Sequence, residues 1–385
     1  MALIKDKLFS TIALSHFSVD LLNGQRSVLF VYLAVLLGLS NTQLGLFSTA
    51  YILLAALLQP LFGHLADRRG FRWAIAGGTL WIGAFFTLGL LATGMASLML
   101  IVIASLGSGA FHPAGTMQAT LVGRSRYAGR ETTASSFFFL FGQVGLFVGP
   151  LLGGFLLRES GQRGVLWLSG FAVIVGIMGL IRLAQSDVRW ERQPEAAGER
   201  SEGRPSTAIA WLAFAGLAIS QSWVQQNMVT FLPKYLSDLG QPPEIYGTLS
   251  SFFIGAAALG MVIAGMLADR FGKRRVAASM LALAIVPLAL IPFLGLSAWL
   301  YLLIPIAGFF SGSAHSIVVV LAQRYIPGGM AMSSGLILGF IFASGALGVL
   351  LSGYLADTFG LTSIFTLTAA LALLAAAMAL TLEKN

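Results

Sequence analysis

The chain has 385 residues, of which 57% are hydrophobic and only 10% are charged, and its mean hydropathy is +0.85. Soluble domains usually carry about 25% charged residues, so this composition excludes a water-soluble protein and indicates one that crosses a lipid bilayer many times. The sequence contains no cysteine, which excludes disulfides and thiolate metal sites.

Twelve apolar segments are long enough to cross a bilayer, which takes about twenty residues. They lie roughly at 9–36, 43–66, 72–93, 96–121, 134–157, 164–185, 207–236, 245–268, 275–296, 298–323, 332–356 and 361–381. The first segment is too long for a cleaved signal peptide, so we interpret it as the first span. The longest polar gap, at 187–206, predicts a linker between an N-terminal six-helix bundle at 1–186 and a C-terminal bundle at 207–385.

The positive charges lie mostly on one side of these spans. Of the 23 Lys and Arg residues, 19 fall in the two termini, the linker and the loops that follow even-numbered spans. The positive-inside rule therefore predicts a multi-pass protein of the plasma (inner) membrane with both termini in the cytoplasm. Because the net charge of +8 is explained by this topology, we expect no nucleic-acid partner.

Two stretches of the sequence occur twice at about half the chain length. Gly63–Arg72 and Gly265–Arg274 are identical at seven of ten positions, with an offset of 202 residues. Ser108–His112 and Ser311–His315 correspond at an offset of 203. Repeats at this spacing indicate two copies of one unit, and parallel halves built from hydrophobic segments are a transporter architecture.

The repeated Gly-x-Leu-Ala-Asp-Arg motif resembles the signature loop of the major facilitator superfamily. This resemblance implies an all-α polytopic membrane protein with twelve transmembrane helices in two pseudo-symmetric six-helix bundles, working by alternating access. It also implies that the two loops form a cytoplasmic latch that holds the outward-facing state, with the acidic residues paired to an Arg or facing a helix N-terminus. The gating residues so implied are Gly63, Asp67, Arg68, Arg72, Gly265, Asp269, Arg270 and Arg274.

Span 5 carries a second motif, Gly-x-x-x-Gly-Pro-x-x-Gly-Gly, which resembles the motif typical of antiporters in that superfamily. Small residues four apart let two helix backbones approach closely, and proline allows a bend. The motif favours export as the direction of transport. Its residues are Gly145, Gly149, Pro150, Gly153 and Gly154.

Polar side chains inside the spans are costly in a membrane and are functional by default. In span 1, His16, Asp20 and Asn23 share one helical face, and the superfamily resemblance implies that spans 1, 4, 7 and 10 line the central cavity. We predict proton coupling at Asp20, with His112 as the second candidate. The predicted cavity residues are His16, Asn23, Arg26, Gln143, Trp223, Gln225, Gln226, Asn227 and His315.

Two further stretches narrow the resemblance. His16-Phe17-x-x-Asp20 in span 1 and Gly107–Pro113 in span 4 resemble the fosmidomycin-resistance group of drug exporters. The Arg usual in the span 4 motif of proton antiporters is missing, and His112 stands nearby instead. We therefore predict a proton-coupled antiporter that exports small organic compounds as a monomer, with protons and the substrate as partners and without a cofactor.

Two alternatives stay open. Arg26 favours an importer or exporter of an anionic metabolite, and the buried histidines with Asp20 suggest a carrier of a metal or metal chelate. We expect no metal site, because cysteine is absent and the histidines are divided between the halves. A lipid-modifying membrane enzyme needs an acid–base group at a membrane face, which the loops do not offer, so we predict that the chain is not an enzyme.

Overall fold

The computed structural model describes residues 5–69, 71–126, 131–184, 208–325 and 330–382, and in a few places within helices it describes the backbone alone. This described part contains helices and connecting turns but no strand. A π-helical turn at Trp73–Gly77 precedes α3, and α10 consists of two segments. The bounds are α1 Lys7–Leu37, α2 Asn41–Arg69, α3 Gly78–Leu91, α4 Gly94–Arg126, α5 Glu131–Gly164, α6 Leu166–Ala184, α7 Ala208–Asp238, α8 Pro243–Phe271, α9 Lys273–Leu290, α10 Leu300–Gly312 and Ala314–Tyr325, α11 Met330–Phe359, and α12 Thr362–Thr381.

The described helices include twelve segments that are long and apolar enough to cross a membrane. They match the twelve predicted spans, and the predicted all-α membrane fold is confirmed. Several helices are longer than a bilayer requires. At 1.5 Å per residue, the 31 residues of α1 extend about 46 Å, against about 30 Å of hydrocarbon, so the helix is longer than the apolar layer.

The internal repeat does not give the same local structure twice. Helix α4 continues without a break through Ser108–His112, whereas α10 breaks at Ser313. The hydroxyl of Ser313 donates to the carbonyl oxygen of Phe310 at 2.6 Å. Such a side-chain bond competes with the helical hydrogen bonds of the backbone, which accounts for an interruption here. His315 consequently lies in the first turn of the second α10 segment.

Contacts within the chain define two compact units. Unit 1 comprises Met1–Gly38, Ala50–Arg192 and Pro242–Gly247, and unit 2 comprises Leu39–Thr49, Gln193–Gln241 and Thr248–Asn385. Each unit thus contains one short segment from the other half of the sequence, the start of α2 in unit 2 and the start of α8 in unit 1. The predicted division at the linker did not include this exchange, because it depends on contacts between residues far apart in the chain.

In unit 2, the start of α2 is held by Asp357 of α11. The carboxylate of Asp357 accepts hydrogen bonds from the backbone N–H groups of Asn41 and Thr42, each at 2.8 Å, and from the Thr42 hydroxyl at 2.6 Å. The first N–H groups of a helix have no partner within the helix, and its N-terminus favours a negative charge. Asp357 therefore caps α2 from a helix more than 300 residues further along the chain.

In unit 1, the start of α8 packs against the second half of α5. A Cβ at Gly154 would collide with the carbonyl oxygen of Pro243, and one at Gly247 would collide with that of Pro150. The guanidinium of Arg158 also pairs with the carboxylate of Glu244, with 3.0 Å between Nη1 and Oε1. Glycine is needed at both positions because the two backbones approach too closely for any side chain.

The remaining glycines of the span 5 motif bring α5 against α1. A Cβ at Gly145 would lie 2.5 Å from the carbonyl oxygen of Phe17, and one at Gly149 would collide with that of Leu21. A Cβ at Gly153 would collide with Cγ of Gln25. The motif therefore packs α5 onto α1, the helix that carries Asp20.

The N-terminus of α1 is fixed by Asp6. Its Oδ1 atom accepts from the backbone N–H groups of Leu8 and Phe9 at 2.9 Å, and its Oδ2 atom lies 3.0 Å from Nη1 of Arg126 at the end of α4. Partial burial alone would raise the pKa of Asp6, but the hydrogen bonds from Phe9, Arg126 and Leu8 outweigh it and hold the pKa below its ordinary 3.8. Because the folded-state pKa is lowered, the stabilisation is complete above that ordinary value and is lost as the pH falls through the folded value.

We expect Asp6→Ala to lower the free energy of unfolding by about 1 kcal/mol at pH 7, the usual contribution of a helix cap. The difference from wild type should shrink as the pH falls below 3.8, because Asp6 in the unfolded chain is then protonated to a greater extent than Asp6 in the folded protein. Unfolding temperatures in detergent at pH 7 and pH 3.5 measure this. Asp6→Ser keeps a capping oxygen and should recover most of the loss; if Ser is as damaging as Ala, the cap is not the cause.

Candidate functional site

A cluster of three ionisable side chains lies inside unit 1, where α1 and α4 meet. Nε2 of His16 is 3.2 Å from Oδ2 of Asp20, and Nε2 of His112 is 3.4 Å from Oδ1 of the same carboxylate. Asp20 is 6% exposed and His16 is 2% exposed. The three residues lie in membrane-spanning segments and His112 is half-buried, so one carboxylate and two imidazoles share a largely buried site.

The second ring nitrogen of each histidine fixes which nitrogen carries the hydrogen. Nδ1 of His16 lies 2.7 Å from the carbonyl oxygen of Phe138, and Nδ1 of His112 lies 2.8 Å from that of Ser108. A carbonyl oxygen can only accept, so each Nδ1 is a donor. In a neutral imidazole, Nε2 then bears a lone pair, and this lone pair would face a carboxylate oxygen of Asp20.

The two contacts with Asp20 therefore need hydrogens that neutral histidines and an ionised carboxylate do not supply. A proton bound at either contact converts opposed lone pairs into a charge-assisted hydrogen bond. The three groups together can hold up to two such protons, and losing them leaves a buried negative charge, which is costly. This arrangement can take up and release protons within the membrane.

The same three residues offer ligand atoms that all lie within 4.8 Å of one another, which is close enough for one cation to contact all three. The division of the histidines between the two halves was one reason to expect no metal site. This division separates His315 from the others, but His16 and His112 both lie in unit 1. His315 lies in unit 2. A bound proton accounts for the geometry without a metal, and a metal chelator in the experiments below separates the two occupants.

A hydrogen-bonded chain extends from Asp20 along α1. Nδ2 of Asn23 donates to Oδ1 of Asp20 at 2.9 Å and to Oγ of Ser108 at 3.0 Å. Oδ1 of Asn23 accepts from the hydroxyl of Tyr51 on α2 at 2.6 Å. Every hydrogen-bonding atom of the Asn23 amide group thus has a partner, which fixes its orientation.

Arg26 lies at the far end of this chain, one turn beyond Asn23. Its guanidinium carbon is 4.9 Å from the centre of the Tyr51 ring and 5.7 Å from that of Phe30. Arg26 is 5% exposed, and its Nε and Nη1 atoms are buried without a hydrogen-bond partner in the described part of the chain. The contacts of Asp20 in the described part of the chain are with His16, His112 and Asn23, not with Arg26.

Three residues that the sequence analysis did not select contribute to this site. Tyr51 joins Asn23 to Arg26, and Phe138 stacks on the His16 ring with 3.9 Å between ring centres. A Cβ at Gly142 would lie 2.5 Å from Nε2 of His16 and 2.7 Å from Oδ2 of Asp20. Gly142 stands three residues before Gly145 on α5, whereas Gly145, Gly149 and Gly153 are four residues apart, so the spacing of the motif does not point to it.

The polar residues predicted in α7 and α10 lie in unit 2, and most bond to neighbouring helices. Nε1 of Trp223 donates to Ser352 at 2.9 Å, and Nε2 of Gln225 donates to Ser311 at 2.8 Å. Asn227 is buried and donates to Thr368 of α12 at 3.1 Å, which places it in a contact between helices and not on an open surface. Gln226, His315 and, in unit 1, Gln143 are half-buried.

Three of the eight predicted gating residues have side chains outside the described part of the chain. This applies to Asp67, Arg68 and Asp269, so the latch itself stays a prediction. Gly63 faces Pro113 of α4, and Arg72 and Gly265 are half-buried. Arg270 lies over the Phe271 ring at 5.2 Å, and Arg274 donates to the carbonyl oxygen of Leu382 at 3.1 Å.

Comparison with known protein families and sequences places these observations in context. The Major Facilitator Superfamily family model matches residues 8–241 and 212–385. The Fosmidomycin resistance protein of Escherichia coli (strain K12) is 28% identical over 383 residues, covering 95% of this chain and 90% of that protein. The uncharacterized MFS-type transporter YfnC of Bacillus subtilis (strain 168) is 28% identical over 369 residues, covering 91% and 87%.

Solved structures resemble the fold at lower sequence identity. A bacterial homolog of the human lysosomal transporter Spinster superposes with a TM-score of 0.80 at 14% identity, covering 97% of this chain and 96% of that one. The nucleoside transporter NupG gives a TM-score of 0.74 at 15% identity, covering 97% and 98%. At these identities the likeness concerns the fold alone.

Proposed function

We propose that this chain, which belongs to the Major Facilitator Superfamily, is a proton-coupled antiporter that exports small organic compounds by alternating access. Its family makes it a multi-pass membrane transporter and not an enzyme. The finer points are the proton, the direction and the kind of substrate, and each rests on a separate observation.

The buried contact of Asp20 with His16 and His112 is the single observation that carries the proton coupling. An antiporter needs a group that binds a proton in one state and releases it in the other, and this site is incomplete without a proton. If the substrate and the proton prefer different conformational states of the transporter, binding of one lowers the affinity for the other. Thermodynamic linkage requires the two decreases in affinity to be equal.

Export as the direction is supported by the relatives and by α5. The Escherichia coli relative is named for fosmidomycin resistance, and a Yersinia enterocolitica relative, 26% identical over 385 residues, is named a putative multidrug resistance protein, MdtD. The glycine-proline motif of α5 packs directly onto α1, the helix of Asp20. Fosmidomycin is therefore the first compound to test.

We further propose that the basic loops lie in the cytoplasm together with both termini, that Asp67 and Asp269 act there as the latch, and that the protein works as a monomer. The distribution of Lys and Arg supports the sidedness.

Proteoliposomes with opposite pH gradients test the proposed function. We expect uptake of radiolabelled fosmidomycin, or of a compound to which overexpression confers resistance, when the vesicle interior is more acidic than the outside. Protein-free liposomes and an excess of EDTA serve as controls for leakage and for metal-dependent transport. Faster uptake with an alkaline interior indicates symport, and uptake that ignores the gradient indicates no coupling; either result contradicts the proposal.

A further inference from the structure

Arg26 is a buried cation for which the described part of the chain provides no anion. Arg26 is only 5% exposed, and neither its Nε nor its Nη1 atom has a hydrogen-bond partner. Arginine stays protonated at any accessible pH, so the charge cannot be removed by deprotonation. A charge within a membrane-spanning segment needs a partner, and such a residue marks a substrate or ion pathway by default.

The residues around Arg26 contact the face of the guanidinium, while its Nε and Nη1 atoms have no hydrogen-bond partner in the described part of the chain. The rings of Tyr51 and Phe30 lie within cation–π distance of the guanidinium, an attraction that is stronger when the cation is desolvated. The nearest acidic residue along α1, Asp20, already bonds to Asn23 and contacts His16 and His112. Its carboxylate is therefore engaged elsewhere.

We propose that Arg26 is the binding site for an anionic group of the transported compound, a carboxylate or a phosphate. The planar guanidinium presents N–H donors whose spacing matches two oxygens of either group, and hydrogen bonds between charged partners are the strong ones. Bound there, the anion supplies both the missing charge and the missing acceptors. The inference names a substrate class for the proposed transporter, and in that respect it rests on the proposed function.

Tyr51 positions this site and links it to the proton site. Its ring lies under Arg26, and its hydroxyl donates to Asn23, which in turn donates to Asp20. An anion drawn to Arg26 and a proton held at Asp20 are thus separated by two side chains. We expect anion binding to change the proton affinity of the cluster through this connection.

Thermal unfolding of the detergent-purified protein with matched pairs of small probes tests the proposal. The pairs are benzoate with neutral benzamide, and phenyl phosphate with its neutral dimethyl ester. A ligand that binds only the folded state raises the unfolding temperature, and its concentration dependence gives the dissociation constant. We expect the two anions to stabilise wild type and the neutral probes to have little effect.

Variants separate Arg26 from general charge effects. Arg26→Gln should weaken anion binding by at least about tenfold, the loss expected for a charged hydrogen bond, and Arg26→Lys should retain part of it. Tyr51→Leu, which removes the ring beside the guanidinium, should bind anions less tightly than Tyr51→Phe, which keeps it. Arg182→Gln, an exposed arginine at the end of α6, is the matched control and should change nothing.

Three results would overturn the inference: equal stabilisation by charged and neutral probes, anion binding that survives in Arg26→Gln, or equal protection by sodium chloride at the same ionic strength. If Arg26→Gln does not fold, Arg26→Lys and Tyr51→Leu still decide, because a site elsewhere would leave both at wild-type affinity. If Arg26 does not bind anions, the expected result of the pH-gradient assay stays the same. Failure of the anion-site proposal can therefore be told apart from failure of the proposed antiport.

Discussion

We expect Asp20→Asn to abolish pH-driven transport while leaving substrate binding measurable. In the variant, the amide Nδ2 can donate to Nε2 of one neutral histidine, and Oδ1 can still accept from Asn23. The cluster then keeps a hydrogen bond to a histidine without any bound proton, and it carries no negative charge that would draw one in. A site that no longer binds and releases a proton cannot exchange it for substrate.

Uptake into inside-acidic proteoliposomes should therefore fall to the level of protein-free liposomes. Substrate-induced proton release in a weakly buffered detergent solution, measured with a pH dye, should disappear at the same time. Asp238→Asn is the matched control, because Asp238 is an acid at the end of α7 that is exposed and paired with Lys234, whereas Asp20 is buried within α1. It should leave both measurements unchanged.

His112→Ala tests how much the histidines contribute to proton coupling. It removes one of the two contacts of Asp20 and leaves His16 in place, so the pH optimum of transport should shift while activity persists. Proton release from Asp20→Asn equal to that of wild type would show that Asp20 is not the coupling group. Loss of all transport in His112→Ala with normal coupling in Asp20→Asn would assign that role to His112.

We expect Gly142→Ala to reduce pH-driven transport by at least about tenfold without unfolding the protein. The added methyl group would lie 2.5 Å from Nε2 of His16 and 2.7 Å from Oδ2 of Asp20, well inside contact distance. These atoms are side-chain ends that can move, so the helices need not separate. The contact between His16 and Asp20 must open, and a charge-assisted contact of this kind contributes about 1.5–3 kcal/mol.

The pH dependence of transport and the unfolding temperature together decide this second prediction. Gly170→Ala in α6 is the matched control, because a Cβ there has no neighbour within 4 Å. It should transport normally and unfold at the same or a slightly higher temperature, since alanine favours a helix over glycine. If Gly142→Ala keeps the wild-type pH profile, contact between His16 and Asp20 is not required for coupling.

Gly149→Ala would give a different result for a clear reason. A Cβ at Gly149 collides with the backbone oxygen of Leu21, which cannot move without displacing α1. Overpacking of this kind costs about 1–3 kcal/mol, so the unfolding temperature should fall together with transport. Comparing positions 142 and 149 separates damage to the site from damage to the fold.

The sequence by itself determined the number of spans, their approximate ends and the fold class. These properties follow from local composition, because each apolar segment must satisfy its backbone hydrogen bonds internally and can do so as a helix. The spacing of His16, Asp20 and Asn23 also placed them on one face of α1, and the structure shows the first and third each in contact with Asp20.

The tertiary structure alone decided which groups meet Asp20. His112 and Ser108 come from α4, Phe138 and Gly142 come from α5, and Tyr51 comes from α2, and no local pattern relates these positions to α1. The sequence placed Asp20 and Arg26 on one helix and offered no way to tell which side chains from other helices contact the carboxylate. The packing of α4 against α1 brings His112 to the carboxylate beside His16, and Arg26 is stacked on Tyr51.

The exchange of short segments between the two units has the same origin. Asp357 caps α2 across 316 residues, and Gly154 admits the start of α8. The glycine motif predicts a close approach at Gly154, but the local sequence does not say which helix approaches. Hydropathy acts over about twenty neighbouring residues, whereas these contacts depend on how whole helices pack. The sequence therefore determined which helices form, and the close approach of helices at glycines decided which polar groups share a site.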